Sequence, residues 1–181
     1  MLSLIIILTL LFTVHTGVRR GAVLQGVYTL GYLFSFIYAA KNYIKYVDKL
    51  ELLIPYPQPT PESKLLFFSP DVFFDLDRYF YAGVSFLILL VIGWAITRLI
   101  GILCYKLTFA RIPETLNATV GGGLALVVSL IAWGTVLSLV AMIPLDIVQN
   151  TLQGSRLAQG LIEHIPYFSN KIMLLWSSVP K

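Results

Sequence analysis

The sequence predicts an all-α integral membrane protein: one domain, residues 1–181, built as a bundle of four transmembrane helices with an interfacial amphipathic C-terminal helix. Three observations predict it. Charged residues are 12% of the chain and hydrophobic residues 57%, which is about half the charged share of a soluble domain. Mean hydropathy is +0.82. The apolar residues also gather into runs of roughly 20, the length that crosses a hydrocarbon layer about 30 Å thick as a helix rising about 1.5 Å per residue. In lipid the backbone must satisfy its own hydrogen bonds, so such runs are expected to be helices.

The runs lie at about residues 2–18, 22–40, 79–103 and 120–143, and none has an interior proline. No basic residue precedes His15 in the first run, and no small-x-small cleavage site follows it. It therefore reads as an uncleaved anchor rather than a signal peptide. The first two runs are joined by "HTGVRRGAVLQG". Gly17 and Gly21 would let the chain reverse there. Arg19 and Arg20 would stay at headgroup level, together anchoring the turn against lipid phosphates and offering a docking point. An outer segment, 41–78, follows: a short helical stretch, a proline-rich strap at 55–61, then an aromatic belt suited to the membrane interface. After Pro144 the C-terminal segment 144–181 predicts a helix from Ser155, its cap, to Pro166. Leu157, Leu161, Ile162 and Ile165 form one apolar face, and two readings remain open: a helix lying on the bilayer or one packed over the bundle.

Orientation follows the basic residues of the short loops. Arg19 and Arg20, and Lys106 and Arg111 opposite Glu114, must share a side, taken as the cytoplasm. Both termini are then outside. Lys41, Lys45 and Lys49 argue the other way from a long, mixed loop. The basic balance, +4 overall, belongs to topology. Nothing resembles a basic patch interleaved with aromatics, so no nucleic-acid partner is expected. The expected partners are the lipid bilayer and a membrane protein or a second copy of the chain.

Small residues recur on one face of each run: Thr9, Thr13, Gly17 and Gly21; Gly31, Ser35 and Ala39; Ser85, Gly93, Thr97 and Gly101; Gly121, Ala125 and Ser129. Helices in lipid associate by close packing at such positions. An antiparallel third and fourth run would bring Gly101 and Thr97 against Gly121 and Ala125, the expected tightest crossing, where Gly121→Ala should be mild and Gly121→Leu severe.

Chemistry is sparse. The single cysteine, Cys104, excludes a disulfide framework within the chain and reads as a packed thiol. Asp71, Asp75 and Asp77 read as acids at a helix start rather than a metal site. "GVSF" around Ser85 resembles the serine loop of rhomboid-type intramembrane proteases, but a serine nucleophile needs a positioned base, and the later runs hold no histidine. "VGGGLA" lacks the lysine of a phosphate-binding loop. "TLNATV" matches a glycosylation acceptor at Asn117, on the side where that has no meaning. Gln25 and Arg98 are the only candidates for intramembrane polarity, and both lie near helix ends, where Arg98 can snorkel. No catalytic residue, metal or cofactor is expected, and the chain reads as a non-enzyme.

Three stretches carry a resemblance. "GVRRGAVLQGVYTLGYLFSFIYA", "IPETLNATVGGGLALVVSLIAW" and "GSRLAQGLIEHIPYF" are similar to the first hairpin, the fourth-helix entry and the C-terminal region of the colicin V production family. Asn117 and Gly121 fill an asparagine–glycine pair four apart, and Ser155 and Pro166 fill a serine–proline frame. The proline strap departs from the pattern. The resemblance implies a multi-pass protein of the bacterial cytoplasmic membrane with an accessory role in toxin (bacteriocin) production or secretion, or in envelope maintenance. The alternative is an oligomeric channel or small transporter component.

Overall fold

The structure is a computed structural model. It describes residues 1–57, 59, 63, 65–68, 72–109, 112–163 and 174–177. The sequence expectations at Asp71, Arg111, His164, Ile165, Pro166 and much of the proline strap lie outside the described residues.

The described residues form helices α1 (Leu2–Asn42), α2 (Val47–Glu51), α3 (Leu76–Leu103), α4 (Glu114–Val140), α5 (Asp146–Gln153) and α6 (Arg156–Glu163), with 3-10 turns at Tyr43–Tyr46 and Tyr105–Phe109. Among the described residues, three continuous helical stretches are long and apolar enough to cross a membrane: Leu2–Glu51, α3 and α4. The first of them contains the hairpin.

Within α1, Gly21 alone leaves the helical region, with φ 78° and ψ 169°. The chain reverses there. Ile6, before the break, packs in a cluster with Leu137 and Ala141 of α4. Tyr43, after it, accepts a 2.6 Å hydrogen bond from the Ser85 hydroxyl and packs in a cluster with Met142. The start of α1 and the turn that follows it therefore both lie toward the C-terminal end of α4, while Gly21 meets Asn117 near its start. The two limbs, 2–20 and 22–42, are each about 30 Å long, enough for the hydrocarbon layer.

The limbs have different partners. The first lies antiparallel to α4 and the second antiparallel to α3, whereas α3 and α4 touch little. This corrects the expected crossing of Gly101 and Thr97 with Gly121 and Ala125. The α1 hairpin takes up both small-residue faces, so each stripe meets a limb instead of its neighbour in sequence.

Helix ends also differ from the sequence expectation. Arg19 and Arg20 are helical, in the last turn of the first limb, and Gly17 is a packing residue within that limb. Helix α4 starts earlier than expected because Pro113, at φ −50° and ψ 130°, sets its entry and Glu114 occupies its first turn. It ends at Val140, shortly before Pro144, which disfavours helix in the residue before it.

At the end away from Gly21 the outer and C-terminal segments close the bundle. The Tyr81 hydroxyl donates to the Ile54 carbonyl at 2.8 Å, and the Tyr56 hydroxyl to the Met142 carbonyl at 2.6 Å. Helix α6 buries Ala158, Leu161 and Ile162 against α4 and the start of α1, so it packs over the bundle. Helix α5 is an element the sequence reading did not separate. Its buried Gln149 donates to the carbonyls of Ala141 (3.1 Å) and Ile143 (2.8 Å) and accepts from the Leu66 amide (3.1 Å). These bonds occupy carbonyls just past the end of α4 that would otherwise be orphaned.

Candidate functional site: an arginine-bearing cleft beside a stitched hairpin

The first limb and α4 close like a ladder. The Trp133 indole donates to the Thr9 hydroxyl at 2.9 Å, and Thr13 shares a 3.1 Å hydrogen bond with Ser129. A Cβ on Gly17 would collide with the Ala125 Cβ and the Gly121 carbonyl, and one on Gly121 would sit 2.5 Å from the Gly17 carbonyl oxygen. At the turn, the Asn117 side-chain oxygen accepts from the Ala22 amide at 2.6 Å. That amide opens the second limb and has no partner within its own helix. In lipid such a group is costly if left bare. Asn117 is therefore a cap supplied by a neighbouring helix, and Gly21 leaves room for it: a Cβ there would lie 2.6 Å from the amide atoms of Asn117. The spacing of four between Asn117 and Gly121 places cap and close approach on one helical face.

The second limb meets α3 in the same manner. Gly31 faces Thr97, Gly93 faces Ser35, and Gly101 faces the ring of Tyr28. The last of these has a consequence for charge. The absence of a side chain on Gly101 leaves room for the Tyr28 ring, and two guanidinium groups lie near that ring. The Arg20 guanidinium carbon is 4.6 Å from its centroid and that of Arg98 is 5.4 Å away. Arg98 also lies 5.2 Å from the Trp94 ring. Each such contact contributes about 0.5–2 kcal/mol, more when water is excluded. Arg20 Nη1 donates to Gln25 Oε1 at 3.3 Å, and Gln25 is 2% exposed. The Nε of Arg98 is buried with no hydrogen-bond partner among the described residues. Among the described residues, the ionisable groups acting on Arg20 are Arg98, Tyr28 and Tyr32, with no carboxylate among them.

Arg20, Gln25 and Arg98 all line a cleft of about 390 Å³, within the size range of ligand sites. Its walls run toward the far end of the bundle through Leu33, Phe36, Leu90, Val128 and Ile131, with the hydroxyls of Thr29, Ser129 and Thr135 between them. Thr29 and Thr135 donate to carbonyls of their own helices at 2.8 and 2.9 Å. The cleft is thus apolar along its length and cationic at one end.

The structure separates residues that the sequence grouped. Arg19 is exposed and Arg20 turns inward. Gly17, Gly21, Asn117 and Gly121 share one crossing, and Gly101 belongs to another. Ser155 is far from both: its hydroxyl accepts from the Ala158 amide at 3.2 Å, capping α6, and shares a 2.7 Å bond with Ser3. Asp75 occupies the position before α3, and Asp77 accepts from the Arg78 amide at 2.7 Å. No group of three or more metal-ligating side chains occurs among the described residues. The sequence pointed to Arg20, Gln25 and Arg98 separately, and not to their meeting at Tyr28. Pairing the second run antiparallel with the third, rather than the third with the fourth, would have brought Tyr28 to Gly101 and exposed it.

Such a fold, with several helices long and apolar enough to cross a membrane, defines a transmembrane-type protein. The chain belongs to the colicin V production protein family, whose family model matches residues 2–166. It is 26% identical over 178 residues, 98% of each chain, to the uncharacterized transmembrane protein YshB of Bacillus subtilis (strain 168). No solved structure matches.

Proposed function

We propose that this protein is a non-enzymatic, multi-pass accessory protein of the bacterial cell membrane, serving toxin (bacteriocin) production or secretion, or envelope maintenance. It acts by binding a membrane component or protein partner. Its turn at Arg19 faces the cytoplasm, and both termini face outward. Membership of the family supports the setting. The observation that carries the binding reading is the cleft, which gathers cationic and apolar side chains and no nucleophile beside a base. The Ser85 hydroxyl is buried and donates to the Tyr43 carbonyl at 2.6 Å, a packing bond. His15 is exposed on the first limb. The channel reading draws on the threonines of the first limb, yet Thr9 and Thr13 meet Trp133 and Ser129 within the same chain, so their hydroxyls serve the fold.

The test is complementation of a deletion strain, scored by peptide export and envelope integrity, with membrane levels of each variant matched. Ser85→Ala and His15→Ala are expected to restore the phenotype. Loss of function in either, at a normal level of folded protein, would overturn the non-enzymatic reading. Ion flux through proteoliposomes containing the purified protein would favour the channel.

A further inference from the structure

We propose that the cleft is a binding site for an anionic phospholipid, with the headgroup phosphate at Arg20, Arg98 and Gln25 and an acyl chain along the apolar walls. Four observations converge on it. Arg20 and Arg98 sit against one tyrosine ring, with no carboxylate among the described groups acting on Arg20. Two positive charges held at one site repel each other, and an intramembrane charge without a counter-ion is costly. Arg98 has a buried Nε with no hydrogen-bond partner among the described residues, and a guanidinium's planar donors match phosphate oxygens. Gln25 is almost fully buried, and its oxygen accepts from Arg20, which leaves its amide hydrogens as further donors toward an anion. The position fits as well. Arg20 is one residue before the turn and Arg98 five before the end of α3, so the cationic end of the cleft lies where lipid phosphates meet hydrocarbon, and the apolar walls continue inward from it.

A free inorganic anion would satisfy the charges but would leave the apolar length of the cleft unused. A zwitterionic lipid would fill the cleft but bring its own cation to the arginines. An anionic phospholipid satisfies both parts. Arg19, one residue away but exposed, contributes to the general attraction of the turn for the bilayer surface and not to this site.

The test uses the full chain in detergent, titrated with phosphatidylglycerol, phosphatidylcholine or inorganic phosphate and read by native mass spectrometry. The expected result is one retained phosphatidylglycerol, with phosphatidylcholine about tenfold weaker. Arg98→Gln and Arg20→Gln should each weaken phosphatidylglycerol by about tenfold, the scale of one lost charge-assisted hydrogen bond. Arg19→Gln, which makes the same change in net charge, should bind as the parent does. Thermal unfolding of each variant without lipid checks that the fold persists. If Arg98→Gln unfolds, Gln25→Leu provides the same reading from a neutral residue. Equal binding of the two lipids, or equal loss on Arg19→Gln, would overturn the site. Displacement of the lipid by inorganic phosphate at matched concentration would overturn the lipid assignment in favour of a free anion.

Discussion

Single residues decide how closely the helices approach. Gly121 and Gly123 lie two apart in α4 with the same helical backbone, yet only Gly121 is covered. A methyl group on Gly121 would press on the Gly17 backbone carbonyl, whereas one on Gly123 would meet nothing within 4 Å. Gly121→Ala should therefore lose about 1–3 kcal/mol through overpacking, and Gly123→Ala should be neutral or slightly stabilising because alanine favours helix. Melting curves in detergent separate the two, and equal stability would remove the close approach from the account. The sequence pattern led to the opposite expectation for Gly121→Ala, because spacing reveals which residues share a face but not that backbone stands on the other side. Asn117→Ala should cost about 1 kcal/mol or more as the Ala22 amide loses its cap, again read by melting in detergent. A stability equal to the parent's would mean that the amide finds another acceptor. The asparagine–glycine spacing was legible in the sequence. Its purpose was not, since the partner amide is 95 residues away.

Among elements, the outer segment and the terminal helices hold the end of the bundle remote from Gly21. Tyr56 links the outer segment to the end of α4 through Met142. Burial, with the charges of Asp77 and Tyr81 adding to it, pushes the Tyr56 phenol well above its ordinary value. The folded state therefore keeps this proton where the unfolded chain, titrating near about pH 10, releases it. The stabilisation is complete below about pH 10 and declines as pH rises further. Tyr56→Phe should lower stability by about 1 kcal/mol at neutral pH and flatten part of the decline above about pH 10. An unchanged alkaline slope would show that other groups set it. Ser155→Ala removes both the cap of α6 and the contact with Ser3, and limited proteolysis should then release the C-terminal segment more readily. The cap was visible in the sequence as a serine opening an amphipathic helix. Helix α5 was not, because it spans only two turns and its Gln149 bonds to the carbonyls of Ala141 and Ile143, in the turn that leads to Pro144.

For the whole molecule, the class was written in composition and run length, and the reversal in the glycine pattern around the two arginines. What the sequence could not supply was the pairing of the limbs. Small-residue stripes fit several partners, and only the packed bundle selects α1 with α4 and α1 with α3. That selection brings Arg20 and Arg98 to one ring and creates the cleft. It also puts Arg19 and Lys106 at one end of the molecule and the N-terminus with residues 43–56 at the other. Single cysteines in a Cys104→Ser background, labelled in intact cells with an impermeant reagent, should therefore react at residues 48 or 52 and remain protected at residue 19 or 106. Labelling at residue 19 or 106 instead would invert the orientation. The claim at the centre of the account is that the protein works by binding at the arginine cleft. The most direct measurement of it is complementation by the Arg20→Gln/Arg98→Gln double variant beside Arg19→Gln, with folded membrane levels matched. The account predicts loss of export or envelope integrity in the double variant and full rescue by Arg19→Gln. Full rescue by the double variant would contradict it.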